Sequence, residues 1–271
     1  MTFQTLYRPK NLTHEIFKTI EAFCFPEEPI HDIKQFMQWI TGDFWAVFDD
    51  NELIGYSYLK LKAELAWIAR IAVLPNYRNK GIGSKLMEIM IDYSQRNNRP
   101  KIILNVRQDN SSAICLYRKY GFIKSDVRYQ YIVPIKRFLK LDHQSSYKLA
   151  IAVPITEVDA SLIPPFSEEW RDLDSIHNPP DNYVLIFRSK RGEVVGYCRL
   201  NPDFPGCHPF VVERVTVNRL SDILFSLKPY LKAEKQELKL TFSDKDLADV
   251  CEQLNFKLHY KLFKMEKEMV L

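Results

Sequence analysis

Near the N-terminus, Ile16, Phe17, Ile20 and Phe23 recur at helical spacing behind Thr13, a residue suited to capping the helix that they predict. The pattern then changes. Trp45-Ala46-Val47-Phe48 and Asn51-Glu52-Leu53-Ile54-Gly55-Tyr56-Ser57-Tyr58-Leu59 are β-prone runs joined by turn residues, and they predict a hairpin. Residues 67–73 predict a further strand, closed by Pro75, which has no N–H to give to a ladder. From Ser84 onward Leu86, Met87, Met90 and Ile91 share one helical face while Lys85, Glu88 and Asp92 point outward. Residues 101–106 read as a strand, after which Asp109 or Asn110 would cap a helix ending near Gly121.

This order is echoed about 140 residues later, a period the size of a whole domain. Gly192-Glu193-Val194-Val195-Gly196-Tyr197-Cys198-Arg199-Leu200 answers the second hairpin arm, with Gly55 and Gly196 offset by 141, and Val184-Leu185-Ile186-Phe187 answers the first. Ala69-Arg70-Ile71-Ala72-Val73 is matched with Glu213-Arg214-Val215-Thr216-Val217 at an offset of 144, and residues 101–106 with 237–242 at 136. On these pairings about eight residues are missing from the second copy around the place of Gly81 and Gly83. The stretch put opposite them, Asn218-Arg219-Leu220-Ser221-Asp222-Ile223-Leu224-Phe225, has no glycine. We therefore expect two domains, 1–144 and 145–271, divided in a polar connector near Gln144. Each begins with helices and continues as hairpin, strand, helix, strand, helix, strand, which is an α+β fold with a mixed sheet.

Composition narrows the classes. With 46% hydrophobic and 27% charged residues the chain is not of the disordered type. A net charge of +4, from 38 Lys and Arg against 34 Asp and Glu, permits an anionic ligand without pointing to nucleic acid. The basic cluster Lys136, Arg137 and Lys140 lacks an aromatic platform and reads as a solvated connector. Five cysteines without a C-x-x-C pair indicate neither a disulfide framework nor a zinc ribbon, and the histidines show no ligand spacing, so no metal is expected. There is no apolar leader and no run of about 20 apolar residues, so the expectation is a soluble, cytoplasmic protein that binds no membrane.

Only 8 of 271 residues are glycine, so each is expected to answer a backbone need. Arg78-Asn79-Lys80-Gly81-Ile82-Gly83 joins a strand to a helix. Such a loop aims free N–H groups at the positive end of a helix dipole and lets phosphate oxygens approach the main chain, with Arg78 and Lys80 adding charge. A phosphate-bearing ligand is one reading and an ordinary capped turn the other. The third glycine of G-x-G-x-x-G is missing and no G-x-x-x-x-G-K-[ST] occurs; the pattern that fits is R-x-x-G-x-G.

Two motifs in order decide between them: V-x-P-x-x-R-x-x-G-x-G from Val73 to Gly83, and N-x-x-A-x-x-L-Y-x-K-x-G-F from Asn110 to Phe122. By these the chain resembles the GNAT (GCN5-related N-acetyltransferase) superfamily over roughly residues 45–133, and the second copy resembles the same fold with its motifs eroded. The resemblance implies acetyl-CoA as acyl donor. Ile71, Ala72 and Val73 would lend main-chain hydrogen bonds to the pantetheine, and Arg78, Asn79, Lys80, Gly81, Ile82 and Gly83, with Ser84, would take the pyrophosphate. Asn110 would lie near the pantetheine and Tyr117 near the sulfur.

An amine would attack the thioester carbonyl directly in a ternary complex, with strand amides polarising that carbonyl and Tyr117, a phenol protonated at neutral pH, giving its proton to the leaving CoA thiolate. The base is harder to place. Many relatives carry a Glu on this strand where the present chain has Trp67, leaving Glu64, three residues upstream, as the candidate acting through a water; otherwise the amine arrives deprotonated and Glu64 is a solvated charge. In the second copy Cys251 stands at the place of Tyr117 and Asn255 at that of Gly121. The expected activity is N-acetylation of a primary amine by the first domain; a non-catalytic acyl-CoA-binding regulator is the alternative.

Overall fold

Strand β1 (Gln4–Tyr7) runs along the edge of β2 (Asp43–Asp49), and between them in sequence lie helices α1 (His14–Cys24) and α2 (Ile33–Thr41). Thr13 caps α1 by accepting the Ile16 N–H at 3.4 Å, and Asp32 caps α2 by accepting that of Gln35 at 2.8 Å. The chain continues through β3 (Glu52–Leu61), β4 (Ala66–Val73), α3 (Ile82–Arg96), β5 (Lys101–Arg107) and α4 (Ser111–Lys119). This computed structural model describes residues 3–28, 31–138, 150–163, 177–203 and 206–269. The chain folds as two units, Met1–Ser125 with Lys264–Leu271, and Asp126–Phe263.

In the first unit the strand order is β1-β2-β3-β4-β5, antiparallel except for the parallel β4–β5 pair. Helices α1 and α2 bury Phe17, Ile20 and Phe36 on one face of the sheet, against Phe44, Tyr56, Tyr58 and Ala72. Residues next to each other on a strand point to opposite faces, so Gly55, beside Tyr56, faces the other way, and there Ile82 of α3 comes close enough to touch an added Cβ at 3.1 Å. Leu86, Met87 and Met90 are buried and Lys85, Glu88 and Asp92 lie on the outer side, as their spacing predicts.

The second unit repeats the plan. β6 (Ile123–Pro134) leads through the single turn α5 (Ile135–Phe138) towards β7 (Ile151–Pro154), β8 (Tyr183–Arg188), β9 (Val194–Asn201), β10 (Gly206–Val212), α6 (Val217–Ser226), β11 (Glu237–Phe242), α7 (Lys245–Gln253) and β12 (Lys257–Glu268). Its strand order is β12-β6-β11-β10-β9-β8-β7, and here too a parallel pair, β10–β11, follows a hairpin. The two copies thus share a mixed sheet flanked by helices. The edge strands β1 and β7 carry little sequence signal and were not expected.

Three expectations are corrected or fall outside. The strand corresponding to β4 is Gly206–Val212, not residues 213–217: Val73 faces Gly55 across its hairpin and Val212 faces Gly196, while Thr216 caps α6. Alternating apolar residues at Val215 and Val217 mimic a strand, but the first lies in the turn and the second begins the helix. Between β4 and β5 there are 27 residues (74–100) and between β10 and β11 there are 24 (213–236), so the difference is three, not eight. The division near Gln144 lies outside the described residues. The units do not follow a simple cut, because the end of β12 belongs to the first, where Met269 N–H donates to Pro100 O at 2.8 Å and Lys101 pairs with Glu268 at 3.1 Å.

Candidate active site

The site begins where β4 and β5 part. Their ladder covers only Ala66–Ile68 against Ile102–Leu104, whereas β3 stays paired with β4 up to Val73. Leu74 N–H donates to Ile54 O at 2.9 Å, so the residues bonded to β3 are every second one back, Ala72 and Arg70. Ile71 and Val73 therefore turn their amide groups to the side that β5 has left. Of the three strand residues singled out in sequence, these two present main chain to the opening, while Ala72 is committed to β3.

Beyond Val73 a single 3₁₀ turn, Pro75–Tyr77, leads into Arg78, Asn79, Lys80 and Gly81. Asn79 (φ 61°) and Gly81 (φ 84°) are both left-handed, and no side chain caps α3. The first intrahelical bond is Lys85 N–H to Gly81 O, at 2.9 Å. The amides of Ile82, Gly83 and Ser84 therefore have no helical acceptor, and no acidic residue stands in the first turn. Arg78 Nε donates to Val73 O at 3.2 Å, and Lys80 lies 4.7 Å from the Tyr77 ring centre. A Cβ on Gly81 would meet nothing within 4 Å, while one on Gly83 would meet Leu116 Cδ2 at 3.2 Å. Gly81 thus borders open space, and Gly83 borders α4. This chemistry fits a diphosphate.

Helix α4 is held to α3 by Tyr120, whose hydroxyl donates to Ser84 O at 3.1 Å, and by Lys119, which donates to Ser84 Oγ at 3.3 Å. Its N-cap is Asn110, which accepts the Ala113 N–H at 3.1 Å. Tyr117, next to Leu116, is buried beside Phe122, and that burial pushes its phenol well above the ordinary value. It is protonated throughout the neutral range. Glu64 is set apart from these groups: it is exposed in the turn before β4, at the opposite end of the strand from Val73 and the loop. Cys115 is exposed, and Trp45 and Tyr56 belong to the core.

One cluster escaped the sequence reading. Arg70, next to Ile71, donates to Glu21 Oε2 at 3.0 Å and to Glu28 Oε2 at 2.7 Å, and its guanidinium lies 3.5 Å from the Phe25 ring centre. The Tyr56 hydroxyl donates to the other Glu21 oxygen. Burial pulls the Arg70 guanidinium down, but the Tyr56 oxygen and the Glu28 and Glu21 carboxylates outweigh it and hold the group charged. Burial lowers the His31 imidazole, 3.4 Å from Glu21, against the hydrogen bond it makes with Gln35. The signal was present: Glu21 interrupts the apolar stripe of α1, and Arg70 is a lone charge in an apolar strand.

The second unit closes the equivalent loop with its own groups. Thr216 accepts the Arg219 N–H at 3.2 Å, and the Arg219 guanidinium folds back onto Glu213 O (2.8 Å) and Arg214 O (3.0 Å). At the place of Tyr117 stands buried Cys251, its thiol pushed up to about 12 by burial. Among the described residues no three His, Cys, Asp or Glu side chains gather as metal ligands, and no helix is long and apolar enough to cross a membrane.

Comparison with known proteins bears on what this arrangement is. The acetyltransferase (GNAT) family model matches residues 12–122. N-alpha-acetyltransferase 30 of Saccharomyces cerevisiae is 35% identical over 169 residues, 57% of this chain and 90% of its own length. Mycothiol acetyltransferase of Renibacterium salmoninarum is 30% identical over 118 residues, and there the match spans 40% of this chain and only 35% of the relative. Among solved structures, a tandem GNAT protein from the clavulanic acid biosynthesis pathway aligns over 98% of both chains with a TM-score of 0.65 at 15% identity, a likeness of fold. With a relative matched over nine-tenths of its length and a mixed sheet opened beside an uncapped helix, the chain belongs to the GNAT acetyltransferase family.

Proposed function

We propose that the first unit is an N-acetyltransferase that moves an acetyl group from acetyl-CoA to a primary amine by direct attack in a ternary complex. The observation that carries this is the gap between β4 and β5: it frees the amides of Ile71 and Val73 on the same strand that leads into the uncapped start of α3. Acetyl-CoA would supply a thioester, whose carbon an amine can attack. The amides of Ile82, Gly83 and Ser84, with Arg78 and Lys80, would hold the diphosphate, and Asn110 would flank the pantetheine. Ile71 and Val73 would orient the acyl arm, and the N–H that meets the carbonyl oxygen would stabilise the charge developing there.

Tyr117 gives its phenolic proton to the departing sulfur and regains one from solvent. Burial keeps the phenol protonated at rest, and because it also makes the phenol a weaker acid than a thiol, the proton passes only as negative charge builds on the departing sulfur. No carboxylate takes the proton of the amine in this reading, because Glu64 lies in the turn before β4, at the end away from the loop; the acceptor enters in its free-base form, and the proton that its nitrogen sheds after attack passes to water. The second unit, with its loop closed by Thr216 and Arg219 and Cys251 at the place of the acid, acts as a degenerate copy that binds no CoA. The test is CoA release with a panel of amines: an alanine-initiated hexapeptide, lysine amide, glucosamine and 1,4-diaminobutane. Tyr117→Phe is expected to keep CoA affinity and slow turnover about 10²-fold. Unchanged turnover would remove Tyr117 as the acid, and CoA binding without transfer to any amine would favour an acyl-CoA-binding regulator.

A further inference from the structure

The connection between α1 and α2 is fastened to both strands that border the opening. Glu28 accepts from Arg70 of β4 at 2.7 Å, two residues past the last β4–β5 pair, and Glu27 accepts from Arg107, at the end of β5, at 2.8 Å. Arg70 is itself fixed from below: Glu21 holds its other nitrogen, Phe25 stacks on its face, and the Tyr56 hydroxyl holds Glu21. Arg107 is held in a fork by Asp109, at 2.9 and 2.6 Å. The two adjacent carboxylates thus carry the chain from one side of the gap to the other, on the face of the sheet covered by α1 and α2.

We infer that Arg70 is a positioning residue for the acceptor: by holding Glu28 it sets how far residues 25–28 stand above the gap, and so the room in which an amine approaches the acyl group. This rests on the acetyltransferase reading. The side-chain partners of Arg70 are Glu21, Glu28, Phe25, Trp39 and Tyr56, which lie on α1, the connection after it, α2 and β3 and not on the loop or α4, so its influence falls on the acceptor and not on CoA. A planar fork shared between two carboxylates, with its face on a ring, cannot be reproduced by an ammonium group.

Glu28→Gln and Arg70→Lys test this in the full chain, with whichever of the four amines above releases CoA fastest. Glu28 is one-third exposed, so its amide variant loosens the connection without stranding a buried charge, whereas removal of the Arg70 charge leaves Glu21 uncompensated. Both variants are expected to raise the acceptor KM about tenfold while the acetyl-CoA KM stays within about twofold. The effect of the second substitution is expected to be small once the first is present, because both release the same contact. An unchanged acceptor KM in folded Glu28→Gln, or equal rises in both KM values, overturns the inference and leaves the acetyltransferase reading standing. Wild-type protein that transfers to none of the amines overturns both.

Discussion

Replacing Gly81 by alanine separates backbone strain from steric exclusion at the loop. An added Cβ meets no atom within 4 Å, so whatever the substitution costs comes from the left-handed conformation at φ 84°. A residue with a Cβ pays about 1–2 kcal/mol there. If the loop keeps its shape, the unliganded protein loses that stability and CoA affinity is unchanged. If it relaxes, stability is retained and the free amides of α3 turn away, which weakens binding about 5–30-fold for the same energy. The CoA-bound state is destabilised by the same 1–2 kcal/mol in either case, and titration calorimetry with CoA together with urea unfolding at saturating CoA measures both shares. Gly81→Asn should cost less, since asparagine tolerates this region, as Asn79 at φ 61° does two residues earlier. Gly83→Ala should be near neutral, because its contact is the far end of the Leu116 side chain, which need give only a few tenths of an ångström. Native affinity and native unfolding energy in Gly81→Ala would refute the claim that the loop's shape is what binds.

Two further outcomes follow from the same geometry. Burial raises the Tyr117 phenol, so the donor is intact at neutral pH and is lost only as pH rises through that raised value; turnover should show no descending limb below about pH 10. A limb near pH 8 that vanishes in Tyr117→Phe, read from pH–rate profiles, would contradict this. Thr216→Ala should cost about 0.5–2 kcal/mol of stability by uncapping α6 and leave CoA affinity untouched, as denaturation and calorimetry would report.

The parts of the fold legible in sequence were those governed by local rules. Thr13 and Asn110 cap their helices, Pro75 follows the end of β4, and the apolar face of α3 is buried at Leu86, Met87 and Met90. The left-handed loop before α3 was legible because it depends on backbone conformation, and glycine leaves a mark. What sequence left hidden depends on contacts between distant positions. Arg70 and Glu21 are 49 residues apart, and each alone reads as a misplaced charge. The orientation of Ile71 and Val73, as against Ala72, follows from register, which no single strand carries. The mismatch of residues 213–217 arose because Val215 and Val217 alternate like a strand while Thr216, between them, is a helix cap.

Set side by side, the two copies differ in a way that separates folding from binding. Asp244 caps α7 by accepting Leu247 N–H at 3.0 Å where Asn110 caps α4, and Asn255 (φ 52°) turns the chain where Gly121 (φ 82°) does. Phe256 N–H then returns to Cys251 O at 2.9 Å, just as Phe122 N–H returns to Tyr117 O at 3.1 Å. Gly196 is retained because a Cβ would stand 2.1 Å from Val211 O. Each of these positions serves packing or helix termination, and each keeps its task in both copies, although Asn110 gives way to Asp244 and Gly121 to Asn255. The positions that do not keep their task are Gly81, whose uncapped turn becomes a Thr216 cap, and Tyr117, whose phenol becomes a thiol. Neither change is needed for a stable sheet. A helix start without a side-chain cap leaves its amides to water, so in the first unit these donors are available to a ligand, whereas in the second Thr216 takes one of them.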